Sequence, residues 1–317
     1  MNKNEFVNYE KEKIANLLKE KYSNDVTVEA ITVVKFNDQE LTGIKIGTDD
    51  NPANPTFYLD DAYEAYLAGE DKDKIAKEVA ERFDEAIANA PDAKFINSKE
   101  DMADKPVTLR VVETKRNKKF LKDIPYMSVD NGFALICDLR LSGPEQGVYT
   151  TVVNNNVLEL MGTTKQEIFA KAISEAWSVD APTLTSIESR MFGKEGENLL
   201  NKSEPVSELS NMYVLTTEST HHGAAALFYP EVQKKVAETL GEGYYALPSS
   251  TEEFILLPES SGVDIKDITE TVYHVNHNIL SPDELLSDKV LKYDKETEKL
   301  YDVTFGREHE SRVSEMR

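Results

Sequence analysis

The chain has one cysteine and one tryptophan in 317 residues, and it lacks long apolar runs. The lone Cys137 excludes an intramolecular disulfide framework and gives no sign of an oxidising compartment. It lies in Phe133–Leu139, an apolar run that predicts a buried strand and an inert thiol. No run approaches the roughly 20 apolar residues that span a bilayer, and the first residues have no signal-peptide core. We therefore expect a cytoplasmic protein.

Basic residues are also scarce. The chain has 36 Lys and Arg against 58 Asp and Glu, which gives a net charge of −22. The imbalance is uneven: residues 1–105 carry −10, residues 106–200 carry −1, and residues 201–317 carry −11. Acidic flanks repel nucleic acids and anionic membranes. The distribution predicts no nucleic-acid partner and no membrane partner, and it favours a basic protein if the chain binds one. The oligomeric state cannot be read from it.

The middle segment is neutral because of one basic cluster. The basic cluster consists of Lys115, Arg116, Lys118, Lys119 and Lys122. It has two interpretations: a solvated or intramolecular partner of the acidic residues, or a site for an anion or an acidic partner.

Helical and strand patterns alternate along the chain, with connections of hairpin length. Residues 4–22 and about 72–89 have helical spacing of apolar residues, and Ile75, Val79, Phe83 and Ile87 form one stripe. Val26–Phe36 and Leu41–Ile46 read as a hairpin. This mixture predicts an α+β fold of short antiparallel sheets with flanking helices, in two lobes.

The most polar and least periodic stretch is 193–209, which is the best candidate for a linker. We expect an N-terminal lobe over 1–192, with a possible sub-boundary near 105, and a C-terminal domain over 210–317. In the latter, Met212–Pro258 reads as strand, turn, strand, helix, strand, turn, strand. A short helix is predicted to start at Pro182, and Ser281–Glu284 has the pattern of a capping box.

Several short motifs occur in a characteristic order. They are Pro55–Asp60, Leu121–Pro125, Asn154–Gly162, Met212–Thr217, Gly223–Tyr229 and Leu247–Pro258. In these the chain resembles the uncharacterised bacterial domain-of-unknown-function family numbered 5688, over most of its length. The resemblance implies a cytoplasmic bacterial protein, and it implies no reaction and no catalytic residue.

Ser219-Thr-His-His-Gly223 is the most reactive-looking segment. A hydroxyl beside imidazoles suggests a nucleophile and a base, with Ser219, His221 and His222 as candidates. Triads are normally assembled from distant segments, however, and no Gly-x-Ser-x-Gly elbow is present. The simpler interpretation is a polar hairpin turn between Met212–Thr217 and Ala224–Phe228.

Other polar residues suggest metal or acid–base chemistry only weakly. His274 and His277 are spaced to share a helix face, and with His221 or His222 they could bind zinc. The pairs Asp60–Asp61 and Glu252–Glu253 could hold a cation or exchange protons. Surface hydrogen bonding and helix capping explain these residues more simply, and no nucleotide-binding glycine motif occurs. We expect no metal and no cofactor.

Three functional hypotheses remain. The first is a non-enzymatic interaction or regulatory module, which fits the acidic flanks. The second is a hydrolase using the Ser219/His221/His222 region with His274 and His277, which a fold placing these histidines about 4 Å from one another or from a carboxylate would favour. The third is an acidic mimic of nucleic acid that inhibits a nucleic-acid-binding protein.

The charge distribution makes a testable prediction about nucleic acids. At about 0.15 M salt the Debye length is about 8 Å, so contacts of the basic cluster with phosphates should be screened. We expect no mobility shift of duplex or single-stranded nucleic acid at that salt. Micromolar binding that disappears when the five cations are replaced by alanine would contradict this expectation.

Overall fold

The computed structural model describes residues 1–22, 26–48, 55–88, 102–141, 150–191, 197–206 and 210–306. The chain forms two compact units, Met1–Asp101 and Met102–Arg317. Helices and short antiparallel sheets occur in both units, which confirms the predicted α+β class. None of the helices in these described ranges is long and apolar enough to cross a membrane.

The first unit combines helices with one three-stranded sheet. Its elements are α1 (Lys3–Tyr22), β1 (Val26–Val34), β2 (Glu40–Thr48), β3 (Thr56–Tyr58), α2 (Asp60–Leu67) and α3 (Lys72–Ala88). The sheet order is β1-β2-β3, and both pairings are antiparallel. The predicted β1–β2 hairpin is confirmed, and Asn37 and Asp38 take left-handed backbone angles in its turn, as short polar side chains tolerate.

The core of the first unit lies between α1, α3 and the sheet. Ile75, Val79 and Phe83 are buried along α3, as their four-residue spacing predicts, and Ile87 packs at the edge of the same cluster. Phe6 of α1 stacks against Tyr66 of α2, with ring centroids 5.1 Å apart.

The second unit contains two further sheets. Its strands are β4 (Val107–Glu113), β5 (Tyr126–Ser128), β6 (Phe133–Arg140), β7 (Thr150–Val152), β8 (Pro182–Ser186), β9 (Tyr213–Thr217), β10 (Tyr244–Pro248), β11 (Phe254–Pro258), β12 (Leu291–Asp294) and β13 (Lys299–Asp302). Its α-helices are α4 (Asn155–Met161), α5 (Lys165–Val179), α6 (Ile187–Met191), α7 (Val232–Leu240) and α8 (Ile265–Asn278). Thr164 and Glu167 form a complete capping box at the start of α5.

Strand β6 is central to the smaller sheet of this unit, pairing β4 on one side and β5 and β7 on the other. Alternation along β6 sends Leu135, Cys137 and Leu139 into the main apolar core. Asp138 and Arg140 therefore share the opposite face. The larger sheet has the order β13-β12-β10-β11-β9-β8.

Three local predictions are wrong. Pro182 begins strand β8 and not a helix, because Pro182 and Leu184 are buried in a strand at the sheet edge, where proline costs no ladder bond. Ala224–Phe228 belongs to a buried 3-10 helix, Gly223–Phe228, and not to the second strand of a hairpin. Glu284 Oε2 accepts from both the amide and the hydroxyl of Ser281, so only half of the predicted capping box forms, in a turn that no α-helix follows.

The contacts divide the chain elsewhere than at the proposed linker. β8 precedes residues 193–209 and β9 follows them, yet these two strands pair from Pro182–Thr217 to Ser186–Tyr213. A lobe boundary inside 193–209 would cut through one sheet, so this expectation is corrected. The observed division after Asp101 lies near the expected sub-boundary at 105. Residues 193–196 and 207–209 lie outside the described ranges.

One buried charge in the first unit has no compensating bond. Glu10 of α1 is 0 % exposed, and within the described residues neither carboxylate oxygen has a hydrogen-bond partner. Burial, and then the charge of Asp73, raise the pKa of Glu10 from 4.5 to about 7, although Lys72 and Lys13 act in the opposite direction. The folded state therefore favours the protonated side chain.

Stability of the first unit should consequently fall as pH rises. Since the folded pKa of Glu10 lies above the unfolded value, its contribution is complete below about pH 4.5 and is lost as pH rises through about 7. Glu10→Gln should be more stable than wild type at pH 8, by up to about 3 kcal/mol. Urea unfolding at pH 5 and pH 8 measures this difference, with the exposed Glu12→Gln as the control on the same helix. An equal pH dependence in wild type and Glu10→Gln would contradict the prediction.

Candidate functional site

The candidate site lies in the second unit, around Ser219–Gly223, here called the His–His turn. The turn follows β9 and leads into the 3-10 helix Gly223–Phe228. Two of its residues have left-handed backbone angles although neither is glycine: Thr220 has φ 61° and His222 has φ 53°. Such conformations cost on the order of 1–3 kcal/mol each and persist only where the surroundings impose them.

Side chains from distant segments impose this conformation. Asp180, the residue after α5, accepts hydrogen bonds from the Ser219 amide at 2.9 Å and from the Ser219 hydroxyl at 2.6 Å. The same hydroxyl accepts from the His221 amide at 3.2 Å. The His222 amide donates to Glu252 Oε2 at 2.8 Å. Both ends of the turn are thus held by carboxylates.

Gly223 ends the turn at a position where a side chain would not fit. A Cβ atom at this position would lie 2.1 Å from Thr216 Oγ1 and 2.6 Å from the carbonyl oxygen of Glu252. These two atoms bond to each other at 2.7 Å and join β9 to the loop between β10 and β11. The close approach places Glu252 beside the two histidines.

Asp138 is the buried carboxylate that contacts the ring of His222. Its side chain is 0 % exposed, and its Oδ2 lies 3.0 Å from His222 Nδ1. This contact has the distance of an ion pair without the geometry of a hydrogen bond. Arg110 approaches the same oxygen with both Nε and Nη2 at 2.8 Å. Burial alone would raise the pKa of Asp138, but Arg110 and His222 hold it below its usual value, so the carboxylate stays ionised.

His221 lies against its neighbour and is held by a different strand. Its Nε2 is 3.1 Å from Thr150 Oγ1 of β7, and its ring centroid is 3.9 Å from that of His222. Burial, and then the adjacent His222, lower the pKa of His221 from 6.5 to about 4. The imidazole is therefore neutral at physiological pH, the form in which histidine binds metals.

His221, His222 and Glu252 each offer one ligand atom within 4.8 Å of the others, and no other group of three such residues occurs in the described part of the chain. Two imidazoles and a carboxylate form a donor set that suits zinc and related ions. Donor atoms of one zinc ion lie about 3–3.5 Å apart, so an ion would draw the three side chains slightly together.

A family model described as a family of unknown function, DUF5688, matches residues 4–295. The chain belongs to this family. No curated protein and no solved structure matches it. The resemblance inferred from the short motifs is thereby confirmed, and the site of this DUF5688 member has to be interpreted from its own geometry.

The structure assembles the candidate residues differently from the sequence-based hypothesis. Ser219 bonds to Asp180 and to the His221 amide, and not to an imidazole. His274 bonds to Asn278, and His277 Nε2 lies 3.2 Å from Asp288 Oδ2 on α8 and the loop after it. Within the described ranges, no hydrogen bond or ion pair joins these two histidines to the His–His turn, so the four histidines do not form one zinc site.

The remaining charged candidates have individual partners. Arg116 of the basic cluster bonds to Asp288 and to Glu113, and the latter contact measures 3.1 Å. Anion binding by this cluster stays a prediction. Asp60 bonds to Lys3 at 2.6 Å. Glu253 pairs with Arg190, while Glu252 faces the turn, so the two adjacent carboxylates have different partners.

The sequence-based interpretation missed the supporting residues of the site. Arg110, Asp138, Thr150 and Asp180 occur in separate strands and at a helix end, far from the His–His turn in sequence. A signal was present at Asp138, a single carboxylate within the apolar run Phe133–Leu139 of β6, because a charge in a buried strand requires partners.

The packing around Gly223 gives a direct test of the turn. Gly223→Ala should force Thr216 and the Glu252 backbone apart and destabilise the second unit by about 1–3 kcal/mol. Ala225→Gly, in the same 3-10 helix, is a control for altered helix propensity without an added atom. Urea unfolding measures both changes. A Gly223→Ala midpoint equal to that of wild type would show that the close approach is not required.

Proposed function

We propose that this DUF5688 protein is a metal-dependent hydrolase whose centre is formed by His221, His222 and Glu252. The observation that carries the proposal is the convergence of these three donors within 4.8 Å. Zinc sites with three protein ligands leave a fourth position for water, and the ion lowers the pKa of that water to about 7. The ion would supply this activated water, and the protein would hold and orient the ligands.

The surroundings of His222 support this assignment. A ligating histidine usually turns its second ring nitrogen towards a carboxylate, which fixes the tautomer and makes the ring a better donor. Asp138 Oδ2 lies 3.0 Å from Nδ1, close enough to attract the ring, although the contact lacks the geometry of a hydrogen bond. Because Arg110 keeps Asp138 ionised in a fully buried position, the carboxylate is a fixed support for the ring.

The strained backbone supports a functional role over a purely structural one. The left-handed angles at Thr220 and His222 occur in adjacent parts of a turn that Asp180 and Glu252 both hold. A sequence selected for stability alone has no reason to place β-branched and bulky residues in this region of φ, whereas strain at ligand sites is common.

The new hypothesis replaces the serine-based one and differs from the interaction module. With its hydroxyl bound to Asp180, Ser219 serves to position the turn and is not a nucleophile in this proposal. The acidic flanks still favour a basic protein partner, and acidic mimicry of nucleic acid stays an alternative. Neither of these alternatives calls for a centre of imidazole and carboxylate donors.

Metal retention tests the proposal. After incubation with zinc and dialysis, the wild-type protein should retain about one ion per chain by mass spectrometry of metals. His222→Ala and Glu252→Gln should each retain far less, because a site with two protein donors binds weakly. Saturating zinc should raise the free energy of unfolding of the wild type, by about 2.7 kcal/mol at one hundred times Kd.

His274→Ala is the matched control, since it removes an exposed imidazole of the same unit. It should retain zinc like the wild type. Absence of retained metal in the wild type, or equal loss in the His274→Ala variant, would refute the proposed centre.

A further inference from the structure

Most of the unpartnered buried polar atoms of the described residues belong to β6, β9 and the His–His turn, which build the proposed centre. Six buried side-chain nitrogen or oxygen atoms lack a hydrogen-bond partner in the described part of the structure. Two of them belong to Glu10 in the first unit. The other four are Asp138 Oδ1, Arg140 Nε, Thr217 Oγ1 and His222 Nδ1. Native proteins leave few such atoms, and their clustering indicates a site that a ligand, ion or water completes.

Arg140 lies beside both arms of the His–His turn. It is the last residue of β6 and pairs with Thr150, whose hydroxyl contacts His221. Its Nη1 donates to the carbonyl oxygen of Val179 at 3.4 Å, and the next residue, Asp180, holds Ser219. Alternation along β6 also places Arg140 on the face that carries Asp138.

The two arginines on this face have different roles. Arg110 directs its Nε and Nη2 to Asp138 Oδ2, so its charge is matched by that carboxylate. Arg140 has no ion pair among the salt bridges of the described residues, and its buried Nε has no acceptor. A guanidinium is always charged, and a buried N–H of a charged group without an acceptor is costly. Arg140 is therefore suited to accept an anion.

We infer that the substrate of this centre carries an oxyanion, such as a phosphate or carboxylate group, which Arg140 binds next to the metal ligands. The inference rests on the proposed metal centre and names its substrate class. Guanidinium groups recognise oxyanions through paired N–H donors, and a divalent ion adds attraction for the same charge. Thr217, a buried residue at the end of β9 directly before the His–His turn, has an unpartnered hydroxyl that is a second donor.

The charge distribution agrees with an anionic substrate at this place. The chain as a whole repels anions at −22, but residues 106–200, which include Arg110 and Arg140, carry only −1. Both arginines thus belong to the least acidic third of the sequence. Specificity would come from the buried guanidinium and not from a general positive potential.

Cobalt substitution allows anion binding to be measured without an activity assay. The protein is loaded with Co²⁺, its metal content is determined, and inorganic phosphate or acetate is titrated while the visible absorption of the ion is followed. We expect phosphate or acetate to change the spectrum of the wild type. In Arg140→Gln the metal content should stay equal, and the dissociation constant of the anion should rise about tenfold or more.

Two further variants complete the design. Arg82→Gln removes an arginine of the first unit, whose guanidinium lies 5.8 Å from the Phe57 ring, and should bind the anion like the wild type. Arg140→Lys keeps the charge but loses the paired donors, so it should bind with intermediate affinity, and it takes the place of Arg140→Gln if the latter does not fold.

The outcomes separate the two proposals. A wild type that binds no Co²⁺ refutes the metal centre. A wild type that binds Co²⁺ but gives no spectral change with either anion refutes the oxyanion inference alone, as does equal anion affinity in wild type and in the Arg140 variants. A response to phosphate and not acetate supports a phosphate-bearing substrate, and the reverse supports a carboxylate.

Discussion

The buried carboxylate of Asp138 is the interaction on which the candidate site depends. Placing an ionised carboxylate at 0 % exposure is costly unless partners compensate it. Arg110 supplies two close donors to one oxygen, and His222 approaches that same oxygen. This arrangement fixes the imidazole of His222 in a strained turn and leaves Asp138 Oδ1 without a partner among the described residues. Both features are what a site held ready for a ligand requires.

Two of the buried carboxylates, Glu10 and Asp138, show how neighbouring charges decide whether a buried carboxyl is ionised. Glu10 and Asp138 are equally inaccessible, yet the pKa of Glu10 is raised to about 7 and that of Asp138 is lowered. Asp138 has a guanidinium in direct contact, whereas Lys72 and Lys13 influence Glu10 only at longer range. Burial thus leaves Glu10 of the first unit with a raised pKa that favours its protonated form. In the smaller sheet of the second unit, Asp138 stays ionised despite burial.

The His–His turn connects three parts of the second unit through hydrogen bonds and close packing. Asp180 at the end of α5 holds its first residue, Glu252 between β10 and β11 holds His222, and Gly223 lets β9 approach that loop. The positions of the two histidines therefore depend on the packing of both sheets. Their rings can be positioned accurately because each contact comes from a regular element or its immediate end and not from a long loop.

The sequence by itself determined the elements that local physics controls. Apolar periodicity predicted α1 and α3, and two neighbouring strand patterns predicted the hairpin of β1 and β2. It also singled out His221, His222 and Glu252 as reactive residue types. These signals act over a few residues, so no knowledge of distant partners was needed.

Tertiary structure alone decided which of these residues contact one another. Pro182 lies in a strand and not in a helix because β8 pairs with β9. Ala224–Phe228 does not form the predicted strand because Gly223 packs closely against Thr216. The residues that give the histidines a chemical environment, Asp138, Arg110 and Asp180, come from other strands and from a helix end. Their contact with the turn depends on strand pairing and burial across the whole unit, and such long-range packing leaves no periodic trace in the sequence.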